Sequence, residues 1–149
     1  MRKLICYCDG ACEPVNPYGH MGIGAVIFEN GKSVFEYSKH IPASKQNSNN
    51  VAEYLAVHAV LDWLIQQELT NEEILVRGDS KLSMMQCAGE WNINKGIYVS
   101  LAHEARRKIT PFSNIRFEWV PREMNENADN LSKTPMMQAG VEFRLQKQW

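Results

Sequence analysis

Four acidic residues stand where carboxylates could act together: Asp9 closes an apolar segment, Glu53 opens an amphipathic stretch, Asp79 closes a second apolar segment, and Asp129 lies in the last helical stretch. Carboxylates gathered in one pocket repel one another and hold protons unless cations neutralise them, and hard divalent ions with oxygen ligands suit that task. Mg²⁺, with Mn²⁺ as a substitute, takes carboxylates and water in octahedral geometry. Two such ions about 3.5–4 Å apart can clamp a phosphodiester for in-line displacement, which is nuclease or polymerase chemistry. Each acid also has an ordinary reading as a turn residue, a helix-dipole partner, a cap or a solvated surface group. With 17 acidic residues in the chain, position alone does not select these four.

The elements that would have to position them can be read from periodicity and breakers. Lys3 to Cys8 predicts a strand, Asp9-Gly10 a turn, and Glu13 to Gly22 a loop. Ile23 to Phe28 and Ser33 to His40 predict two more strands joined at Asn30-Gly31, a strong hairpin signal. Apolar residues at Ala52, Leu55, Ala56, Ala59, Val60, Trp63 and Leu64 predict a helix, with Ser48 or Asn49 as its N-cap. A short buried strand is expected over Glu73 to Arg77, then a helix from Lys81 to Cys87 and another from Val99 to Ile109. Ile115 to Val120 alternates as a strand with Ile115, Phe117 and Trp119 on one face. A last helix is expected from about Asn125 to Lys133, stopped by Thr134-Pro135. An opening meander followed by alternating strands and helices implies a mixed sheet covered by helices. Asp9 and Asp79 would then lie beyond the carboxyl ends of two strands, where ligand sites of open α/β sheets gather if those strands are adjacent and parallel.

Composition narrows the partners. The chain has 149 residues, enough for one ordinary core, and no apolar run long enough to span a membrane. A cytoplasmic protein is the expectation, and Cys6, Cys8, Cys12 and Cys87, with no CxxC pair, read as reduced thiols rather than a metal site. A net charge of −1 argues against gripping nucleic acid by bulk electrostatics. Arg106-Arg107-Lys108 is the one basic run, and it reads as a solvated helix end.

The strings around the four acids carry a resemblance. Cys8-Asp9-Gly10-Ala11-Cys12 with Asn16-Pro17, then Ser48-Asn49-Asn50-Val51-Ala52-Glu53, Gly78-Asp79-Ser80 and Asn125-Glu126-Asn127-Ala128-Asp129, taken together over residues 3 to 133, resemble type I ribonuclease H. The resemblance implies a ribonuclease H-like α/β fold: a five-stranded mixed sheet in order 3-2-1-4-5 with helices on both faces. It implies that Asp9, Glu53, Asp79 and Asp129 are catalytic metal ligands, and that water cleaves the RNA strand of an RNA–DNA hybrid to leave a 3′-hydroxyl and a 5′-phosphate. Asn16, Asn49 and Asn50 would line the substrate groove, where an amide can meet a 2′-hydroxyl as donor and acceptor at once. Gly10, Ala11 and Cys12 would add backbone contacts, Ser80 would sit beside the substrate, and Asn125 would order the active-site loop.

Two departures from the family pattern stand out. Many members carry a histidine in the loop before the last aspartate; here Val120-Pro121-Arg122-Glu123-Met124 has none, leaving Arg122 and Glu123 as candidates for product release or proton transfer. The stretch between Asp79 and Val99 lacks the basic helix and loop that hold substrate in some relatives, which resembles a handle-less, archaeal-like subgroup. Trp91 in that stretch either stacks on substrate or packs against the sheet, with packing the favoured expectation. The domain is placed at residues 1–134 and a tail at 135–149, where Val141, Phe143 and Leu145 alternate as in an added edge strand. The tail could equally mediate dimer contacts or pack over the groove. A monomer without an obligatory protein partner is expected. The competing readings are a DNA nuclease or resolvase of the same fold, and a catalytically silent nucleic-acid-binding module.

Overall fold

The structure, a computed structural model, describes residues 1–144. Five strands, β1 (Lys3–Glu13), β2 (His20–Glu29), β3 (Lys32–Ile41), β4 (Glu73–Gly78) and β5 (Ile115–Trp119), form one sheet in the order β3-β2-β1-β4-β5. This is the topology the resemblance implied. The helices are α1 (Asn49–Gln66), α2 (Lys81–Cys87), α3 (Val99–Ile109) and α4 (Glu126–Gln138), with a short 3₁₀ turn at Arg122–Met124.

The central strand is longer than its sequence pattern predicts. β1 pairs antiparallel with β2 from Leu4↔Glu29 to Glu13↔His20, and parallel with β4 only from Lys3↔Glu73 to Cys8↔Gly78. Asp9-Gly10 is therefore not a turn: it continues the strand and is the first step of β1 beyond the end of β4. The Asn30-Gly31 hairpin forms as expected, with positive φ at both residues (53° and 77°), as a type I′ turn demands. Ser48 caps α1, its hydroxyl accepting from the amide of Val51.

The main core lies between one sheet face and α1, α2 and α3. Leu4, Cys6 and Cys8 of β1, Ile74 and Val76 of β4, and Val57, Val60, Leu61 and Leu64 of α1 are all buried. A buried polar chain crosses it: Tyr54 Oη donates to Gln86 Oε1 (2.6 Å), and Gln86 Nε2 donates to Tyr98 Oη (3.1 Å). Every member has a partner, so the chain links α1, α2 and the loop before α3 without an orphaned group. Residues 88–98 form no helix. Arg106 fixes that loop by donating to the carbonyls of Gln86 and Trp91, so the basic run at the end of α3 is only partly solvated. Trp91 departs from expectation: its side chain is exposed rather than packed on the sheet, because its loop is held through backbone carbonyls.

On the other face, α4 lies on β1, β2 and β3. It approaches so closely that a Cβ on Gly22 would meet the carbonyl of Ser132, and one on Gly24 the carbonyl of Ala128. α4 also runs through Pro135, which the sequence pattern makes a stop. Proline removes the N–H that would bond the Leu131 carbonyl one turn back. Ser38 Oγ of β3 donates to that carbonyl instead (2.5 Å). The helix then closes at Gly140 (φ 79°) in a Schellman turn, with Val141 N bonding Met136 O and Gly140 N bonding Met137 O. Residues 141–144 form no strand, so the described part of the tail adds no sheet edge; Leu145 of the alternating pattern lies outside the described residues. No described helix is long and apolar enough to cross a membrane.

Candidate active site

The divergence of β1 and β4 from Asp9 onward opens a cleft at the carboxyl end of the parallel pair. Asp9 stands on β1 at its floor, and Asp79 follows the last residue of β4. Glu53 enters from α1, which can reach β1 because Gly10 has no side chain. A Cβ there would fall inside the backbone of Ala52 and Glu53. The Gly10 amide donates to both Asp9 Oδ1 (2.9 Å) and Glu53 Oε1 (2.5 Å). One carboxylate oxygen from each of Asp9, Glu53 and Asp79 lies within 4.8 Å of the others.

Asp9 and Glu53 are buried. Burial, reinforced by their neighbours' charge, raises both carboxyls well above the ordinary range, Glu53 to about 8, and desolvation raises Asp79 as well. Three carboxyl groups this close together, two of them buried, either keep protons or receive a cation. All-oxygen donors at this spacing fit a hard divalent ion and suit soft or nitrogen-seeking metals less well.

Asp129 is not one of the three mutually close acids, but its side chain reaches Asp9 from α4 at the edge of the cluster. Its carboxylate faces Lys133 Nζ (3.0 Å) and Arg122 Nη2 (3.7 Å), while Ser132 Oγ, one turn on, donates to its backbone carbonyl (2.7 Å). It lines the same groove, of about 500 Å³, as the three clustered acids. The structure thus brings three of the four expected carboxylates together and holds the fourth nearby on a basic pair.

The remaining expected residues divide into groove-lining and supporting groups. Ala11, Asn49, Asn50, Ser80 and Arg122 line the groove. Ser80 also caps α2, accepting from the Ser83 amide. Asn49 Oδ1 accepts from the Cys12 amide (2.8 Å), and Asn16 Oδ1 accepts from the Asn49 amide (2.9 Å). These bonds lace the start of α1 to the far end of β1. The amides of Gly10 and Cys12 are therefore spent inside the protein. Cys12 itself is buried, its thiol against the Val15 carbonyl.

Asn125 is buried and donates from Nδ2 to the Cys8 carbonyl (2.9 Å), tying the entry of α4 to β1 one residue before Asp9; its Oδ1 is buried without a partner among the described residues. It precedes α4 without capping it through its side chain. Glu123 departs from expectation. It lines a different cavity, of about 540 Å³, with Tyr7, Phe28 and Met124, because the 3₁₀ turn sends Arg122 and Glu123 to opposite sides.

Several residues in or beside the groove escaped the sequence reading. Lys133 sits one helical turn after Asp129, an i,i+4 acid–base spacing that could have flagged it. Trp119 Nε1 donates to the Asp79 carbonyl (3.2 Å) under Lys81, whose ammonium lies 5.7 Å from the indole. Glu13, Phe143 and Arg144 also line the groove. No local signal marks these three, because the tertiary return of the tail brings Phe143 and Arg144 to Glu13 at the end of β1.

Comparison with known proteins agrees with this architecture. Residues 7–134 match the family model described as reverse transcriptase-like. The bifunctional protein Rv2228c of Mycobacterium tuberculosis is 33% identical over 138 residues, covering 90% of this chain; the chain spans 35% of that protein's length. The structure of its N-terminal ribonuclease H domain superposes with a TM-score of 0.82 at 30% identity, covering 94% of this chain and 97% of that one. Ribonuclease H1 of Halobacterium salinarum gives 0.79 at 31% identity, covering 91% and 98%. LC11 ribonuclease H1, isolated from compost by a metagenomic approach, gives 0.75 at 31% identity and the same coverage in its complex with an RNA/DNA hybrid. With the family model matched over most of its length, a sheet in the order 3-2-1-4-5 and relatives that are type 1 ribonucleases H, this chain belongs to the reverse transcriptase-like family and carries a ribonuclease H domain.

Proposed function

We propose that the chain hydrolyses the RNA strand of RNA–DNA hybrids, leaving 3′-hydroxyl and 5′-phosphate ends. The observation that carries this reading is the convergence of Asp9, Glu53 and Asp79 at the mouth of the β1–β4 pair, in a groove continued by Asn49, Asn50 and Ser80. Relatives of the same fold that are ribonucleases H, one of them bound to a hybrid, support it.

Asp9, Glu53 and Asp79 would hold the divalent metal, Mg²⁺ or Mn²⁺ in place of it, with Asp129 joining from α4. The metal supplies Lewis-acid polarisation of the phosphodiester and an activated water. The protein's own part is positional. The Gly10 amide fixes Asp9 and Glu53, Asn125 fixes the backbone before Asp9, and Trp119 fixes the carbonyl of Asp79. Asn50, and Nδ2 of Asn49, which has no partner among the described residues, offer donors and acceptors to a 2′-hydroxyl, the group that distinguishes RNA from DNA. Arg122 would meet a departing phosphate, a role that its position beside Asp129 supports; Glu123, which lines a different cavity, has less support for such a role. The handle-less reading is supported by the loop at residues 88–98, which carries Lys95 as its single basic residue. Four free, buried thiols favour a reducing compartment, the cytoplasm, and the domain is read as a monomer over residues 1–134 with a tail.

Incubation of the purified protein with Mg²⁺ or Mn²⁺ and labelled hybrid, double-stranded RNA, double-stranded DNA and single-stranded RNA tests the reading. Cleavage confined to the RNA strand of the hybrid is expected. Cleavage of DNA, or an intact hybrid with both metals, overturns it.

A further inference from the structure

The tail returns to the active-site groove. After the Schellman turn at Gly140 the chain crosses back to the end of β1, and there Arg144 is tied down by several bonds at once. Its backbone amide donates to Glu13 Oε2 (2.9 Å). Its Nη2 donates to Glu13 Oε1 (2.9 Å) and to the carbonyl of Cys12 (2.8 Å), and its Nε reaches the same carboxylate at 3.2 Å. The Glu13 side chain is only 13% exposed, whereas that of Arg144 is 46% exposed. One edge of the guanidinium is therefore spent on a half-sunk carboxylate, and Nη1 has no partner among the described residues.

That geometry fits a phosphate contact. A guanidinium held along one edge offers its other donors with little further loss of side-chain freedom, and arginine pairs with phosphate oxygens in this way. The groove's charge gives the contact a purpose. Among its lining residues, Arg122 and Lys133 pair with Asp129, a member of the catalytic acids, while Arg144 alone is anchored on a carboxylate outside that set. With a net charge of −1 and one basic residue in residues 88–98, the chain must take its grip on a polyanion from single placed cations.

We propose that Arg144 is a substrate-gripping residue, presented by the tail and Glu13 to a backbone phosphate of the nucleic acid in the groove. The proposal rests on the reading of the groove as a nucleic-acid site. Arg144 touches substrate, and Glu13 is a positioning residue that acts through it. The tail thereby does from the β1 end of the groove what a basic helix between α2 and α3 would otherwise do.

The test is the affinity of the full chain for a fluorescently labelled RNA–DNA hybrid, measured with Ca²⁺ from about 50 to 200 mM salt. Arg144→Gln is expected to weaken binding about tenfold and to lower the slope of log affinity against log salt by about one. Arg144→Lys restores most of the slope, and Glu13→Gln keeps the slope while weakening binding less than Arg144→Gln does. In steady-state cleavage the loss falls on KM rather than kcat. Unchanged affinity and slope in Arg144→Gln overturn the proposal. Tighter binding also overturns it, since the tail would then be obstructing the groove. So does a loss of binding matched by Glu13→Gln in size and slope, together with a lowered melting temperature in both, which is the pattern of a purely structural clamp. If the wild type leaves hybrid uncut while Arg144→Gln still lowers affinity and slope, the grip stands and the proposed reaction falls. If the wild type cuts hybrid and Arg144→Gln binds like it, the grip alone falls.

Discussion

The backbone amide of Gly10 lies 2.5 Å from Glu53 Oε1, a contact between strand and helix that exists because position 10 has no Cβ. Any side chain there would occupy the space of the Ala52 backbone. Gly10→Ala must therefore push α1 away from β1, carrying Glu53 out of reach of Asp9. Overpacking of this kind costs about 2–3 kcal/mol, or roughly 5–10 °C in a chain of this size. A thermal melt should show that loss, together with metal affinity reduced by more than the stability change alone explains. A variant melting with the wild type would mean that the helix can yield freely, and the close-approach argument would be wrong.

Asp9 and Glu53 make stability depend on pH in an unusual direction. Their carboxyls are raised in the folded chain, Glu53 to about 8, so between about pH 4 and pH 8 the folded state binds more protons than the unfolded one. The stability that these protons supply is present at low pH and is lost as pH rises through the folded values. Asp9→Asn removes the larger part of the penalty. In EDTA the melting temperature of Asp9→Asn should exceed that of the wild type by an amount that grows from about pH 5 to about pH 8. Mg²⁺ should narrow the gap by stabilising only the wild type, with release of protons measurable by calorimetry in buffers of different ionisation enthalpy. A gap that shrinks with pH in EDTA would contradict the burial of these carboxylates as charged groups.

Asp129 should prove less costly to neutralise than Asp9. It sits at the edge of the cluster beside Asp9, its charge shared by Lys133 and Arg122, with a side chain 17% exposed. Asp129→Asn keeps an oxygen facing the groove and should reduce hybrid cleavage about 10–100-fold, in the range of a supporting ligand. Asp9→Asn withdraws a group from the centre of the cluster, where the Lewis acid contributes several kcal/mol, so its loss should exceed about 10³-fold. Equal losses in single-turnover assays at saturating Mg²⁺ would show that Asp129 contributes as much as the central ligands, and the ranking would be wrong.

The elements that could be read in advance were those whose signals are local. The Asn30-Gly31 hairpin, the caps of α1 and α2 and the short β4 all follow from neighbours in sequence. Asp9-Gly10 reads as a turn because Asp-Gly commonly is one. Here the glycine answers to α1, 42 to 43 residues away, and the strand persists because β2 pairs on beyond the end of β4. Trp91 and the tail show the same limit. An indole at the surface of a loop held by Arg106, and an arginine returning to Glu13 across 131 residues, leave no periodic trace. The four acids and the asparagines could be named from their flanking strings. That Arg122 joins Lys133 on Asp129, and that Asn49 gives its oxygen to Cys12, follows from how the elements dock and leaves no local trace.

Pro135 and Ser38 give a final, purely structural test of how α4 is held over the sheet. Proline leaves the Leu131 carbonyl without its helical donor, and Ser38 Oγ supplies one from β3. Ser38→Ala should therefore cost about 1 kcal/mol, the value of an unpaired carbonyl at a partly solvated site. In a Pro135→Ala background the restored N–H takes over the carbonyl, so the same Ser38→Ala change should cost less. The double-mutant cycle should then show a coupling of about 0.5–1 kcal/mol. Pro135→Ala alone should stabilise, because the Leu131 carbonyl regains its helical donor while an interior proline is removed. Strict additivity in urea melts would mean that water, not Ser38, satisfies Leu131, and that α4 is anchored by its packing on Gly22 and Gly24 alone.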